Sequence, residues 1–108
     1  MYLIMAEASA HLGNNSDFEE YLNAVRERCG LPPVVATDIN AMTAVVLEER
    51  RRELFCEFGH RYFDLKRTGK LDMLAASKPN WKSYFNLLPL PENELLLNPR
   101  LLPQNPGY

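Results

Sequence analysis

Through the first 75 residues, apolar positions recur at the three- and four-residue spacing of amphipathic helices; beyond them the pattern changes. Tyr2 to Leu12 predicts a first helix carrying Leu3, Met5, Ala6, Ala8 and Leu12, with Gly13 placed to close it. Asn14-Asn15 makes a turn, and Ser16 with Glu19 has the spacing of a capping box. The second helix carries Phe18, Leu22, Val25 and Cys29 on one stripe and stops at Gly30 and Pro32-Pro33. Thr37 or Asp38 caps a third, longer helix with Ile39, Met42, Val45, Val46, Leu54, Phe55 and Phe58, its pattern running to Glu57. Gly59 interrupts it, a shorter piece from His60 to Thr68 follows, and Leu71, Met73 and Leu74 add a last turn. The expected fold class is all-α: a helical hairpin over 1–30, a long broken helix over 37–74, and a loop with an extended tail over 75–108.

In that last part, Ser77 to Asn80 predicts a loop and Tyr84 to Leu88 a short extended stretch. Pro89 and Pro91 alternate with leucine and favour polyproline-like backbone. Pro91 also suits the first position of one helical turn. The tail Asn98 to Tyr108 is rich in proline, yet Leu95, Leu96, Leu97, Leu101, Leu102 and Tyr108 are many anchors for a solvated linker. The expectation is a tail pinned over the helices by those side chains.

Composition narrows the function classes. With 108 residues, 46% of them hydrophobic, the chain can build one small domain with a modest core. A net charge of -2 offers no basic footprint for nucleic acid, and Arg50-Arg51-Arg52 sits among Glu48, Glu49 and Glu53 as an ion-paired helix surface. No run approaches the ~18–20 apolar residues of a membrane span, and the start lacks the basic region of a signal peptide. Two cysteines, Cys29 and Cys56, are too few for a disulfide scaffold and fit no metal spacing; free buried thiols are expected. One hairpin cannot bury both of its faces, so the chain reads as a piece of a larger scaffold. Alone, it should self-associate through the first helix, where Tyr2, Leu3, Ile4 and Met5 cluster.

The densest chemistry lies between Glu48 and Arg67. Glu49, Glu53 and Glu57 stack at four-residue spacing, which does not face two carboxylates across a cleft as glycoside hydrolysis needs. Glu57-Phe58-Gly59-His60 has the spacing of a helical metal-ligand pair but occurs once, so no metal or other cofactor is expected. No serine or cysteine has an evident base partner, and the chain does not read as an enzyme. The simpler reading of Glu53, Glu57, Gly59, Arg61, Asp64 and Arg67 is structural: carboxylate–guanidinium pairs beside a helix break, with Arg61 reaching Glu57 or Asp64. Trp81, Tyr84 and Phe85 cluster in a loop, where aromatic faces suit sugar C–H surfaces, but capping a small core is the favoured reading of them. Trp81 and Tyr84 are the glycan-contact candidates.

Four segments resemble one family in order. Glu49-Arg50-Arg51-Arg52-Glu53-Leu54 with Glu57-Phe58-Gly59-His60-Arg61-Tyr62-Phe63-Asp64-Leu65-Lys66-Arg67-Thr68-Gly69 is similar to the SusD/RagB segment "ER..EL..EG.R..DL.R.G", departing at Phe58 before the glycine. Leu88-Pro89-Leu90-Pro91-Glu92-Asn93-Glu94 resembles its "LPIP..E" signature, and Asn98-Pro99 with Gln104-Asn105-Pro106-Gly107-Tyr108 its "NP.L.QNPGY" terminus. Tyr2 to Ala8 resembles a late tetratricopeptide-like helix of the same family. The resemblance implies the C-terminal segment of a lipoprotein of several hundred residues, anchored at the outer-membrane surface. Such proteins bind oligosaccharides or other nutrients and sit on a TonB-dependent, SusC-like transporter. It implies no glycan-contacting residue within this segment. A free-standing tetratricopeptide-like interaction module is the alternative.

Overall fold

A computed structural model describes residues 1–108, all helix and irregular backbone with no strand. The chain divides into two compact units, Met1–Arg61 and Tyr62–Tyr108.

In the first unit, α1 (Tyr2–Leu12) ends where Gly13 takes a left-handed backbone (φ 69°), free of strain only for glycine. The N-cap of α2 (Asn15–Arg28) is Asn14 and not Ser16: its side chain accepts from the Asp17 N–H at 3.2 Å. Asparagine caps at least as well as serine, and starting the helix two residues earlier shortens the turn to Gly13-Asn14. The cap of α3 (Ile39–Glu53) is Asp38, whose carboxylate accepts from the Ala41 N–H at 2.9 Å.

The core is where the three helices meet. Leu3, Ala6 and Ala10 of α1, Phe18 and Leu22 of α2, and Met42 and Val46 of α3 are buried together. Ala6 and Ala10 have no side chain beyond Cβ, which lets α1 approach its neighbours closely. Each large side chain here contributes roughly 1.5–3 kcal/mol by leaving water. Tyr2, Ile4, Met5 and Leu12 of α1 remain exposed.

The third helix ends at Glu53, four residues before the apolar pattern does. Cys56 (φ 59°) and Phe58 (φ 36°) then take left-handed backbone, as does Gly59 (φ 72°), in the turn that leads to α4 (His60–Arg67). This turn carries the Phe55 and Phe58 rings into solvent, Phe58 at 90% exposure, so neither belongs to the core stripe. Cys29 caps the end of α2 and Cys56 sits in the turn; both are exposed, which corrects the expectation of buried thiols.

In the second unit, α4 closes at Gly69, and Lys70 N–H donates to the Leu65 carbonyl at 2.7 Å. Leu65 and Leu71 are its buried apolar residues. Short 3₁₀ helices follow at Leu71–Ala76 and Ser83–Asn86, the second where an extended stretch is expected. Helix α5 (Glu92–Leu97) starts directly after Pro91, and a last 3₁₀ turn spans Pro99–Leu101.

Candidate functional site

The charged residues separate into a buried and an exposed set. Arg26, on α2, donates from Nη1 to Glu49 Oε2 on α3 at 2.6 Å, with only 10% and 4% of the two side chains exposed. Its Nε donates to the Pro32 carbonyl at 2.9 Å. One guanidinium therefore holds α2, α3 and the connection between them. Two residues along α2, Arg28 pairs with Glu53, with 65% and 30% of those side chains exposed. The hydrogen bond that Arg28 donates to Glu53 raises its pKa above the ordinary value. Arg51 and Arg52 reach Glu48 at 3.5 and 3.3 Å on the outer face of α3.

The acidic stack does not extend to Glu57. Helix α3 ends first, so Glu57 lies in the turn, its carbonyl accepting from the His60 N–H at 2.9 Å. Glu57 and His60 therefore do not project from one helix. No group of three or more His, Cys, Asp or Glu side chains comes together as a metal site would require. Asp64 receives Arg67, from Nε at 3.0 Å and Nη2 at 2.7 Å, where the sequence suggested Arg61. Arg61 and Arg67 both stand three residues from Asp64 on α4, and it is Arg67 that reaches it. Arg61 lines a recess of about 260 Å³ under the turn with Arg51, Leu54 and His60. A second cleft, of about 300 Å³, lies beside Tyr2, Ile4, Arg28, Glu53 and Leu54.

The aromatic cluster in the second unit is built from both ends. Trp81 and Phe85 meet edge to face at 5.8 Å, Phe85 and Tyr84 at 4.9 Å, and Tyr84 and Tyr108 at 5.3 Å. Trp81 Nε1 donates to Asp72 Oδ1 at 2.9 Å. Gly107 lies so close to Tyr84 that a Cβ built on it would stand 2.3 Å from the ring. One side of Tyr84 is thereby taken up by the tail.

Carboxamide side chains fix the proline-flanked segments. Leu90 N–H donates to Gln104 Oε1 at 2.8 Å, and Gln104 Nε2 donates back to the Leu90 carbonyl at 2.9 Å. Leu90 carries the only N–H between Pro89 and Pro91, and one side chain satisfies both sides of its peptide group. Asn23 does the same for Val34 after Pro32-Pro33, at 3.0 and 2.8 Å. Asn105 Nδ2 donates to Leu88 and Tyr108 Oη to Leu87, at 2.7 and 3.0 Å. The tail is held by these polar contacts and Tyr84. Most of the leucines do not do it: Leu95 is half-buried, but Leu96, Leu97, Leu101 and Leu102 are exposed, Leu97 at 82%.

Arg26, Gln104, Asn105 and Gly107 escape sequence reasoning as working residues. Polar residues beside Pro-x-Pro or Pro-Pro segments were the available signal for the carboxamides, since such segments need outside partners.

The SusD-family model matches residues 1–84. The chain belongs to the SusD family. Two curated SusD-like proteins of Formosa agariphila are 33% and 32% identical to it across 98% and 100% of its length. Those alignments take in 24% and 23% of the two relatives. A SusD-like protein of Bacteroides fragilis, solved by crystallography, superposes on 99% of this chain with a TM-score of 0.79 and 25% identity, over 24% of its own length. The chain thus spans about a quarter of the SusD-like proteins it matches. SusD-family proteins are binding proteins that catalyse no reaction.

Proposed function

We propose that this chain is the C-terminal scaffold segment of an outer-membrane, surface-exposed lipoprotein that captures oligosaccharides or related nutrients for a TonB-dependent, SusC-like transporter. The observation that carries the reading is the family match together with superposition of nearly the whole chain on a SusD-like structure. On this reading α1 and α2 are one tetratricopeptide-like hairpin. Glu53 and the Asp64–Arg67 pair are structural residues that brace helix ends, and Glu57, Gly59 and Arg61 shape the turn between α3 and α4. The proline-rich tail is a strap whose Gln104, Asn105 and Tyr108 bind the backbone of 87–90. Tyr84 belongs to that strap and serves the fold.

The isolated chain self-associates through the exposed apolar side chains of α1, Tyr2, Ile4, Met5 and Leu12. Incubation with a panel of oligosaccharides tests the non-catalytic role. Unchanged sugars are the expected product. Turnover that disappears in Glu57→Gln would overturn it.

A further inference from the structure

Four polar side chains meet in a recess that the scaffold role leaves unused. Lys66 at the end of α4, Asp72 in the first 3₁₀ helix, and Ser83 and Asn86 in the second line it, over Gly69 and Leu71. Its volume is about 50 Å³. A recess needs about 10–15 Å³ of such space to hold one water, so a few hydroxyl groups fit inside and a whole sugar ring does not.

The chemistry of the walls suits hydroxyls in particular. A hydroxyl both donates and accepts, and it needs mixed partners. Lys66 supplies only donors, Asp72 only acceptors, and Ser83 and Asn86 supply both. Lysine and aspartate also balance each other in charge, which selects against a ligand with a net charge of its own. The indole N–H of Trp81 donates to one Asp72 oxygen at 2.9 Å, which leaves the carboxylate capacity for further donors and ties the indole to a side chain of the recess wall. An apolar C–H face of a sugar has an aromatic neighbour there when its hydroxyls enter the recess. Phe85 meets the Trp81 ring edge to face at 5.8 Å and steadies it.

We infer that Trp81 and the Lys66–Asp72–Ser83–Asn86 recess form a subsite for the vicinal hydroxyls of one neutral hexose in an oligosaccharide. This rests on the glycan-capture reading above and places one contact of it within this chain. A single ring held by a few hydrogen bonds and one aromatic contact binds weakly, with Kd on the order of 1 mM.

Trp81 is the only tryptophan, so its emission reports on the site directly. The whole chain is titrated with maltohexaose, cellohexaose, laminarihexaose and oligogalacturonate, following emission and, in parallel, heat of binding. At least one neutral hexaose should shift the emission saturably. Asp72→Ala and Asn86→Ala should each weaken that binding about tenfold by calorimetry while keeping the helical circular dichroism of the parent. Unaltered affinity in both variants would overturn the subsite and leave the glycan reading standing. Binding of oligogalacturonate alone would overturn the assignment to a neutral sugar. No binding by any of the four would remove both the subsite and any glycan contact by this chain.

Discussion

Arg26→Met removes a buried charge and keeps most of the side chain's bulk. Glu49, with 4% of its side chain exposed, would then keep only Arg52, whose Nη1 stands 3.9 Å away and which is itself largely in water. Breaking one partner of a buried pair costs about 3–5 kcal/mol, because the remaining charge stays desolvated. Loss of the Arg26–Pro32 hydrogen bond adds about 1 kcal/mol, and residual attraction to Arg52 offsets a similar amount. The expected loss is therefore about 3–5 kcal/mol. In a domain this small it lowers Tm by roughly 12 °C or more. The double variant Arg26→Met/Glu49→Leu removes both charges and should recover most of the loss. Arg28→Met, on the same helix with its partner Glu53 partly in solvent, is the control and should melt close to the parent. Thermal unfolding followed by circular dichroism reads all four proteins. An Arg26→Met melt within about 2 °C of the parent, or a double variant no better than the single, would refute the reasoning.

Gly107→Ala places a Cβ 2.3 Å from the Tyr84 ring at a residue with φ 95°, so the strap should lift. Limited proteolysis should then cut residues 95–108 faster, and equal rates would show that the tail does not depend on this approach. Deleting residues 95–108 outright should lower the melting temperature measurably, since it leaves the Leu90 peptide group and the Leu87 and Leu88 carbonyls without Gln104, Asn105 and Tyr108. Cys56→Gly and Phe58→Gly relieve left-handed backbone and should each stabilise by up to about 1 kcal/mol; a fall in Tm would mean that these side chains hold the turn. Sedimentation across a concentration series should show association that Ile4→Lys weakens, and a clean monomer at high concentration would contradict the exposed side chains of α1 as the cause.

The two amphipathic helices of the hairpin were legible because their signals are local. Phe18 and Leu22 fall on the predicted stripe, and Gly13 and Asp38 end and begin helices as placed. The early end of α3 was not legible. Leu54, Phe55 and Phe58 continue helical spacing, and nothing in periodicity reports that Cys56 and Phe58 adopt positive φ. The misreading of the cysteines follows from the same break, since Cys56 loses its helical neighbours. Burial of Arg26 depends on α3 bringing Glu49 to it, a contact 23 residues apart that no local pattern encodes. The tail was expected to be pinned by leucine, but Pro89 and Pro91 present unpaired backbone groups that polar side chains satisfy instead. Trp81 and Tyr84 were legible as a cluster only. Their separation into a partner of Asp72 and a strap contact depends on Asp72 and Gly107, which no local spacing pattern links to them.

The central claim is that this chain belongs to a capture protein working with an outer-membrane transporter. The most direct measurement is affinity capture from detergent-solubilised outer membranes of the bacterium that makes it, using the tagged protein expressed from its own locus. The account predicts that one β-barrel, TonB-dependent transporter is recovered in near-stoichiometric amount and survives a salt wash. Recovery of the tagged protein free of any such transporter, or in a soluble fraction without the outer membrane, would contradict it.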